Sequence, residues 1–323
     1  MFLNSTQPNS PVNYPFVMPL LIIPLVLLLM VLVAILMLPF TLRQRYRMGT
    51  ARRRAYPWMD ASWEIHRPFT TADLDTAAGP QGIGQTVVVQ TVSSVAETEE
   101  FLAVAGAPGR VAGVVGWVDL TAPDVADALA ALKAVTGGEA LVAIRHQVHD
   151  EPDPDWLVRG EVLRGLGAVA SAGLVYDLLV RERELPAALE AVERLPQLSF
   201  VVDHLAKPRI REAVTAPWAA RLGMLARHPN VSCKVSGLVT EADWDSWTPG
   251  QLVGYVRHAV EAFGPQRLLF GSDWPVCLLA GSYAEVVEAA EEALDRAGLD
   301  AAEREAVFGA NARRVYRLPP DPD

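Results

Sequence analysis

Short runs of β-branched and aliphatic residues alternate along this chain with longer stretches rich in alanine, leucine and glutamate. Short apolar runs that lie between polar, glycine-containing or proline-containing segments are typical of strands buried on both faces of a sheet. The pattern predicts seven strands, at Thr86–Gln90, Val111–Trp117, Leu141–Arg145, Leu174–Leu178, Phe200–Asp203, Val231–Lys234 and Leu268–Phe270.

The segments between these runs carry the period of amphipathic helices. Apolar residues recur at i, i+3, i+4 and i+7 from Leu185 to Leu195, and residues 283–297 repeat the pattern between two glycines. Strands that alternate with helices predict βαβ units and a parallel sheet. The predicted fold is α/β, a (β/α)₈ TIM-type barrel. The eighth strand should precede Thr86, near residues 40–55, where the sequence is a poor central strand. An open doubly wound sheet stays possible, although no Gly-x-Gly-x-x-Gly follows the first run.

The start of the chain has a different pattern. Residues 16–42 contain no charged side chain, and six arginines without an acid follow within residues 43–54. About 20 apolar residues suffice for a helix to cross a bilayer, and flanking arginines mark the cytoplasmic side. We therefore expect a single-pass membrane protein with its barrel on the cytoplasmic side. The predicted organisation is a tail at 1–15, a transmembrane helix at 16–42, a basic linker at 43–55, a barrel domain at 56–318 and a disordered tail at 319–323.

Two other interpretations of the N-terminus were weighed. A cleaved signal peptide fits poorly, because no basic segment precedes the long apolar run. A displaced start or frameshift, which would have replaced the natural N-terminus, stays open, and in that case the protein would be cytoplasmic.

Net charge and cysteine content exclude some classes of function for this chain. The net charge of the 323 residues is −10, and residues from Ala55 onward carry about 16 net negative charges once the arginine cluster is set aside. Such an acidic domain argues against nucleic-acid binding. Cys233 and Cys277 are far apart in sequence, so they form neither a disulfide framework nor a zinc-finger pattern, which fits a reducing compartment. The oligomeric state is not determined by the sequence.

Ionisable side chains lie where several predicted strands end. In parallel barrels the functional residues come from the carboxyl ends of strands and the loops that follow them. Each residue also has a structural interpretation: a lone histidine is often only hydrogen-bonded, Asp203 could cap the next turn, and Asp273 could pair with Lys234 or Arg145. Their convergence from separate strands favours a catalytic site. The candidates are Arg145, His146, His149, His204, Lys234, Asp273 and Trp274.

Residues 55–318 resemble amidohydrolase-related proteins of the sugar-lactonase type, in the metal-dependent hydrolase superfamily. The most specific matching runs are Asp203–Pro208 (DHLAKP) and Gly271–Pro275 (GSDWP). The supporting runs are Tyr56–Trp58, Arg67–Thr70, Val115–Leu120, Ile144–His149, Cys233–Leu238, Leu269–Phe270 and Phe308–Ala312.

The resemblance implies a (β/α)₈ barrel that hydrolyses the ester of a sugar-derived lactone. It implies that Asp273 and His204 are catalytic and that they hold one divalent ion, zinc or manganese, if any metal binds. Arg145, His146 and Lys234 are donors without a counterpart acid nearby in sequence, so we expect them to hold the substrate. His149 and Trp274 are further expected substrate contacts. In the family the first strand carries a His-x-His pair, and this chain has no such pair before Tyr56.

A second hypothesis comes from another class of protein. The chain could be a membrane-anchored barrel that is catalytically impaired, acting as a binding protein or arising from a displaced N-terminus. Hydrolysis of a lactone by the purified protein separates the two hypotheses.

Overall fold

A computed structural model describes residues 56–320, and this region contains one parallel sheet. Its seven strands pair in sequence order, each with the next, and all pairs are parallel. The strands are β1 Thr86–Val89, β2 Val111–Gly116, β3 Leu141–His146, β4 Val175–Leu178, β5 Phe200–Val202, β6 Val231–Val235 and β7 Leu268–Phe270. All seven predicted strands are therefore confirmed: six differ from the prediction by one residue at one end, and β7 matches it.

Helices connect the strands, as the 3.6-residue period predicts. The two helices read from periodicity are confirmed at Leu185–Arg194 and Tyr283–Arg296. The second begins where a capping box between Ser282 and Glu285 satisfies free backbone N–H groups. The described α-helices are α1 Thr71–Ala78, α2 Val95–Ala105, α3 Val125–Ala134, α4 Gly160–Ser171, α5 Leu185–Arg194, α6 Trp218–Ala226, α7 Pro249–Phe263, α8 Tyr283–Arg296, α9 Ala301–Glu305 and α10 Asn311–Tyr316.

The sheet curls so that helices from its two ends meet. Ala78 of α1, which precedes β1, packs with Tyr283 and Val287 of α8, which follows β7. A flat sheet of seven strands spaced about 4.8 Å apart would keep these helices well separated. The described part of the chain is therefore a curled parallel sheet of the TIM type. The eighth strand predicted near residues 40–55 lies outside the described residues and stays a prediction.

The side chains that face the inside of the curled sheet form two layers. Side chains two residues apart on a strand share a face, and Ala143, Val175 and Val201 form an apolar cluster with Tyr316 of α10. Two residues further along the same strands come Arg145, Asp177 and, just past β5, Asp203. A charged layer thus lies directly above the apolar one, toward the carboxyl ends of the strands.

The predicted membrane location is corrected here. The segment 16–42, on which that prediction rested, lies outside the described residues. Across residues 56–320, no helix has both the length and the apolar character that a membrane span requires. The wrong localisation rested on an uncharged apolar segment followed by arginines, and hydrophobicity reports only a tendency to leave water.

Candidate active site

His204 and Asp273 come together at the carboxyl end of the sheet. His204 lies two residues beyond β5 and Asp273 three residues beyond β7. His204 Nε2 is 3.8 Å from Asp273 Oδ1. The structure therefore brings together the two residues predicted to be catalytic, although they are far apart in sequence.

A left-handed turn presents His204. Its φ is +52°, and Leu205, Ala206 and Lys207 follow with φ of +50°, +58° and +50°. Non-glycine residues adopt this region at a cost of about 1 kcal/mol or more each, so surrounding contacts must hold the turn. Trp218 Nε1 donates a hydrogen bond of 2.7 Å to the Leu205 carbonyl oxygen, and Lys207 pairs with Glu241. Such stored strain is typical of functional sites.

The ring of His204 is buried, and Ser236 contacts the ring nitrogen that lies away from Asp273. His204 Nδ1 is 2.9 Å from Ser236 Oγ, one residue beyond β6. Burial lowers the pKa of the His204 imidazole, although the negative charges of Asp273 and Asp203 oppose this shift. The neutral ring is the form that can bind a metal ion or accept a proton.

Beneath this pair lies a buried network of charges. Asp203 accepts a hydrogen bond of 2.8 Å from Arg145 Nη1, and its other oxygen is 2.7 Å from Lys234 Nζ. Lys234 also donates to Asp177 Oδ2 at 2.6 Å, and the Tyr316 hydroxyl lies 2.8 Å from that oxygen. The cations Arg145 and Lys234 are therefore compensated by carboxylates remote in sequence.

Within this network the pKa of Asp177 is raised and the pKa of Asp203 is lowered. Burial raises the pKa of Asp177 to about 6, with Asp203 adding to the rise and Lys234 opposing it. Burial also penalises the charge on Asp203, but Lys234 and Arg145 outweigh it and hold the pKa of Asp203 below its usual range. Burial disfavours the Lys234 ammonium, yet Asp177 and Asp203 raise its pKa well above the ordinary value. Lys234 is thus charged at neutral pH.

The other predicted histidines have their own partners. His146 Nδ1 accepts a 2.9 Å hydrogen bond from Trp117 Nε1, so Nε2 carries the proton and donates to Glu151 at 2.7 Å. Its ring stacks on Trp156 with 4.3 Å between centroids. For His149, burial lowers the pKa to about 4, although Asp150 opposes the shift. Burial therefore keeps the His149 ring neutral, and the His146 ring is held between Trp117 and Glu151.

Trp274 follows Asp273 and lines a cavity. Its ring meets Phe69 edge-on, with centroids 5.0 Å apart. The cavity has a volume of about 380 Å³ and is lined by Trp274 together with Arg67, Thr70, Ala72, Asp73, Thr76 and Ala77.

The site contains three further residues that the sequence patterns did not predict. Asp177 and Tyr316 complete the charge network, and Ser236 holds His204. The alternation of inward-facing positions could have revealed Asp177, since it lies two residues beyond the inward-facing Val175. No signal in the sequence alone points to Tyr316, which comes from the last helix.

His204 and Asp273 were tested as metal ligands on their chemistry. A metal-binding histidine usually binds through one ring nitrogen while the other is held by a hydrogen bond, and His204 Nδ1 has such a partner in Ser236. Within residues 56–320, however, no group of three or more His, Cys, Asp or Glu side chains is placed to hold a metal ion. The described residues therefore fit two positions of a ligand set that usually has at least three.

Comparisons with known proteins match most of the chain. The amidohydrolase family model matches residues 35–318. An L-fucono-1,5-lactonase from Burkholderia multivorans is 40% identical over 282 residues, covering 83% of this chain and 93% of that protein. An L-fucono-1,5-lactonase from Burkholderia ambifaria is 38% identical, covering 79% of this chain and 87% of that protein. The crystal structure of an amidohydrolase from Burkholderia multivorans with bound zinc has a TM-score of 0.78 and 39% identity, covering 83% of this chain and 96% of that chain.

Proposed function

This chain belongs to the amidohydrolase family, and from that membership we propose that it is a hydrolase that opens the ring of a sugar lactone. The observation that carries the proposal is the meeting of His204 and Asp273 at the carboxyl end of the sheet, in a chain 38–40% identical to two L-fucono-1,5-lactonases over most of its length. The first substrate to consider is therefore L-fucono-1,5-lactone.

The reaction is the addition of water to the lactone carbonyl. The carbon–oxygen ester bond breaks, the ring oxygen leaves with a proton as a hydroxyl group, and the carbonyl carbon becomes a carboxylic acid. In the proposed mechanism Asp273 accepts a proton from the attacking water, which requires an ionised carboxylate within reach of that water. The neutral His204 faces the same space through Nε2.

A divalent ion would polarise the lactone carbonyl when bound. The related amidohydrolase with bound zinc supports the expectation of zinc or manganese here, and His204 Nε2 with the Asp273 carboxylate would hold the ion. Among the described residues, no group of three or more His, Cys, Asp or Glu side chains is placed to complete the ligand set.

The remaining predicted residues are proposed to contact the substrate. In this proposal Arg145 and Lys234 donate to its hydroxyl groups from the top of the charged layer, while their charges stay compensated by Asp203 and Asp177. Trp274, whose ring contacts Phe69, is proposed to border the entrance of the substrate pocket. The rings of His146 and His149 are proposed to border the substrate pocket.

The barrel is proposed to be closed by an eighth strand before α1. The contact between α1 and α8 supports this, because in a closed barrel the helices that flank the first strand are neighbours. The domain limits 56–318 remain a proposal as well, and the family match extends further toward the N-terminus, to residue 35.

Assays of the full chain with a panel of aldonolactones test the proposed function. Ring opening releases acid, which a pH indicator follows in weak buffer after subtraction of spontaneous hydrolysis. We expect turnover of L-fucono-1,5-lactone or a close relative, and a higher rate with added Zn²⁺ or Mn²⁺ than after chelation. Absence of turnover for every lactone, from a sample shown to be folded by circular dichroism, would reject the proposal.

A further inference from the structure

Ser236 is the described side chain that holds the ring of His204. Its Oγ lies 2.9 Å from His204 Nδ1, and both residues are buried, with exposures of 5% and 8%. On the other side of the ring, Nε2 lies 3.8 Å from Asp273 Oδ1, which is beyond hydrogen-bond distance. The two nitrogens of the ring therefore have different surroundings.

This difference decides which nitrogen carries the proton of the neutral ring. A buried N–H without an acceptor costs about 1–3 kcal/mol. A proton on Nδ1 has the Ser236 hydroxyl as an acceptor at 2.9 Å, whereas a proton on Nε2 has Asp273 only at 3.8 Å. The geometry thus favours Nδ1–H donating to Ser236 Oγ and a free lone pair on Nε2.

Two glycines shape the space around this contact. A Cβ added at Gly237 would lie 2.6 Å from His204 Nδ1 and 3.1 Å from Asp273 Oδ2. A Cβ added at Gly271 would lie 3.0 Å from Ser236 Cβ. The backbone of the loops after β6 and β7 therefore packs closely against the His204 ring and against Ser236.

We propose that Ser236 is a positioning residue that fixes the tautomer of His204, so that an unprotonated Nε2 faces the space in front of Asp273. This inference rests on the proposed lactonase function for its kinetic consequence. Its structural part, the position of the proton on the ring, is independent of that function and is tested separately.

The position of the proton is measured by nitrogen NMR of the full chain with ¹⁵N-labelled histidine. The protein is freed of metal by dialysis against a chelator and studied at pH 8, and the His204 signals are identified by their absence in H204Q. In the wild type we expect the proton on Nδ1 of His204. In Ser236→Ala we expect it to move to Nε2, partly or completely, because the acceptor is gone.

The test includes a matched control at Ser232 and a second variant at Ser236. Ser232→Ala removes a hydroxyl from the same strand, also at a buried position, and should leave the His204 signals unchanged. Ser236→Cys retains a side chain of similar size with a weaker hydrogen-bonding group, so its spectrum should lie between those of wild type and S236A. If S236A does not fold, S236C carries the test. A wild-type ring protonated on Nε2, or unchanged signals in the Ser236 variants, would overturn the proposal.

The kinetic consequence is a loss of turnover. Removing the partner of a ligand-like histidine typically costs about 10–100-fold in activity or metal affinity. We expect kcat of S236A to fall within this range while KM changes less, and S232A to retain the wild-type rate. An S236A enzyme with unchanged kcat would contradict the positioning role. A wild type without lactonase activity but with the expected tautomer would reject the proposed function and leave the structural inference standing.

Discussion

Asp177 is one of the two buried carboxylates in the charge network inside the sheet. Its carboxylate contacts both Lys234 and the Tyr316 hydroxyl, and the second carboxylate of the network, Asp203, raises its pKa together with burial. Removing either cation from such a network leaves buried carboxylates uncompensated, which typically costs about 3–5 kcal/mol. The network is therefore expected to keep the site rigid as well as charged.

The raised pKa of Asp177 predicts how stability depends on pH. With a pKa of about 6 in the folded state and about 3.9 in the unfolded chain, the folded protein binds more protons between these values. Its stability relative to a variant without this carboxyl must therefore decrease as the pH rises through that window. We expect the difference in unfolding free energy between wild type and Asp177→Asn to fall by about 2 kcal/mol from pH 4 to pH 7.

Urea denaturation at a series of pH values measures this difference. Asp203 titrates below the window, because its pKa is held below its usual range, so it does not mask the effect. A difference that grows from pH 4 to pH 7 would show that Lys234 overcomes burial and that the pKa of Asp177 is lowered instead.

At the scale of single residues, the sequence predicted which side chains meet but not all of their partners. His204 and Asp273 follow strand ends, and that position alone brought them to one edge of the sheet. Arg145 and Lys234 were predicted as donors to substrate because no acid lies near them in sequence, whereas the structure pairs them with Asp203 and Asp177. Such pairs depend on strand order, which local sequence does not display.

The turn after β5 is the element on which the site depends. Four successive residues with positive φ place His204 against the loop after β6. The seven strands could be predicted because burial on both faces produces continuous apolar runs. This turn could not, because its residues are not the glycines or asparagines that usually mark positive φ, and tertiary contacts impose its conformation.

Gly237 is predicted to be indispensable to this arrangement. It has φ +61°, and a Cβ would lie 2.6 Å from His204 Nδ1. Gly237→Ala should therefore cost about 1–2 kcal/mol in backbone conformation alone, displace the His204 ring and lower kcat. Thermal unfolding and steady-state kinetics of the full chain measure both effects.

Gly254→Ala is the matched control for this prediction. Gly254 lies in the middle of α7 with open space around its Cα. Alanine there should raise stability by up to about 1 kcal/mol, because it is the better helix former, and should leave kcat unchanged. Wild-type stability and kcat in G237A would refute the role assigned to Gly237.

At the scale of the whole molecule, the curled sheet and the site at its carboxyl edge agree with the family. The family match begins at residue 35, inside the segment 16–42 that hydrophobicity alone marked as a membrane span. The C-terminal part of that segment therefore belongs to the matched region. An uncharged apolar run of this length predicts a membrane span, and its composition does not indicate that part of it falls within the family match.

The central claim is that His204 and Asp273 form the catalytic site of a lactone hydrolase. The most direct measurement compares the rate of lactone ring opening by the wild type with that of Asp273→Asn, using the lactone that the panel identifies. Asp127→Asn, an exposed position in α3, is the control. We expect D273N to lose about 10²–10⁴-fold in kcat, because a general base is removed, and D127N to retain the wild-type rate. A D273N protein that is folded and turns over the lactone as fast as the wild type would contradict it.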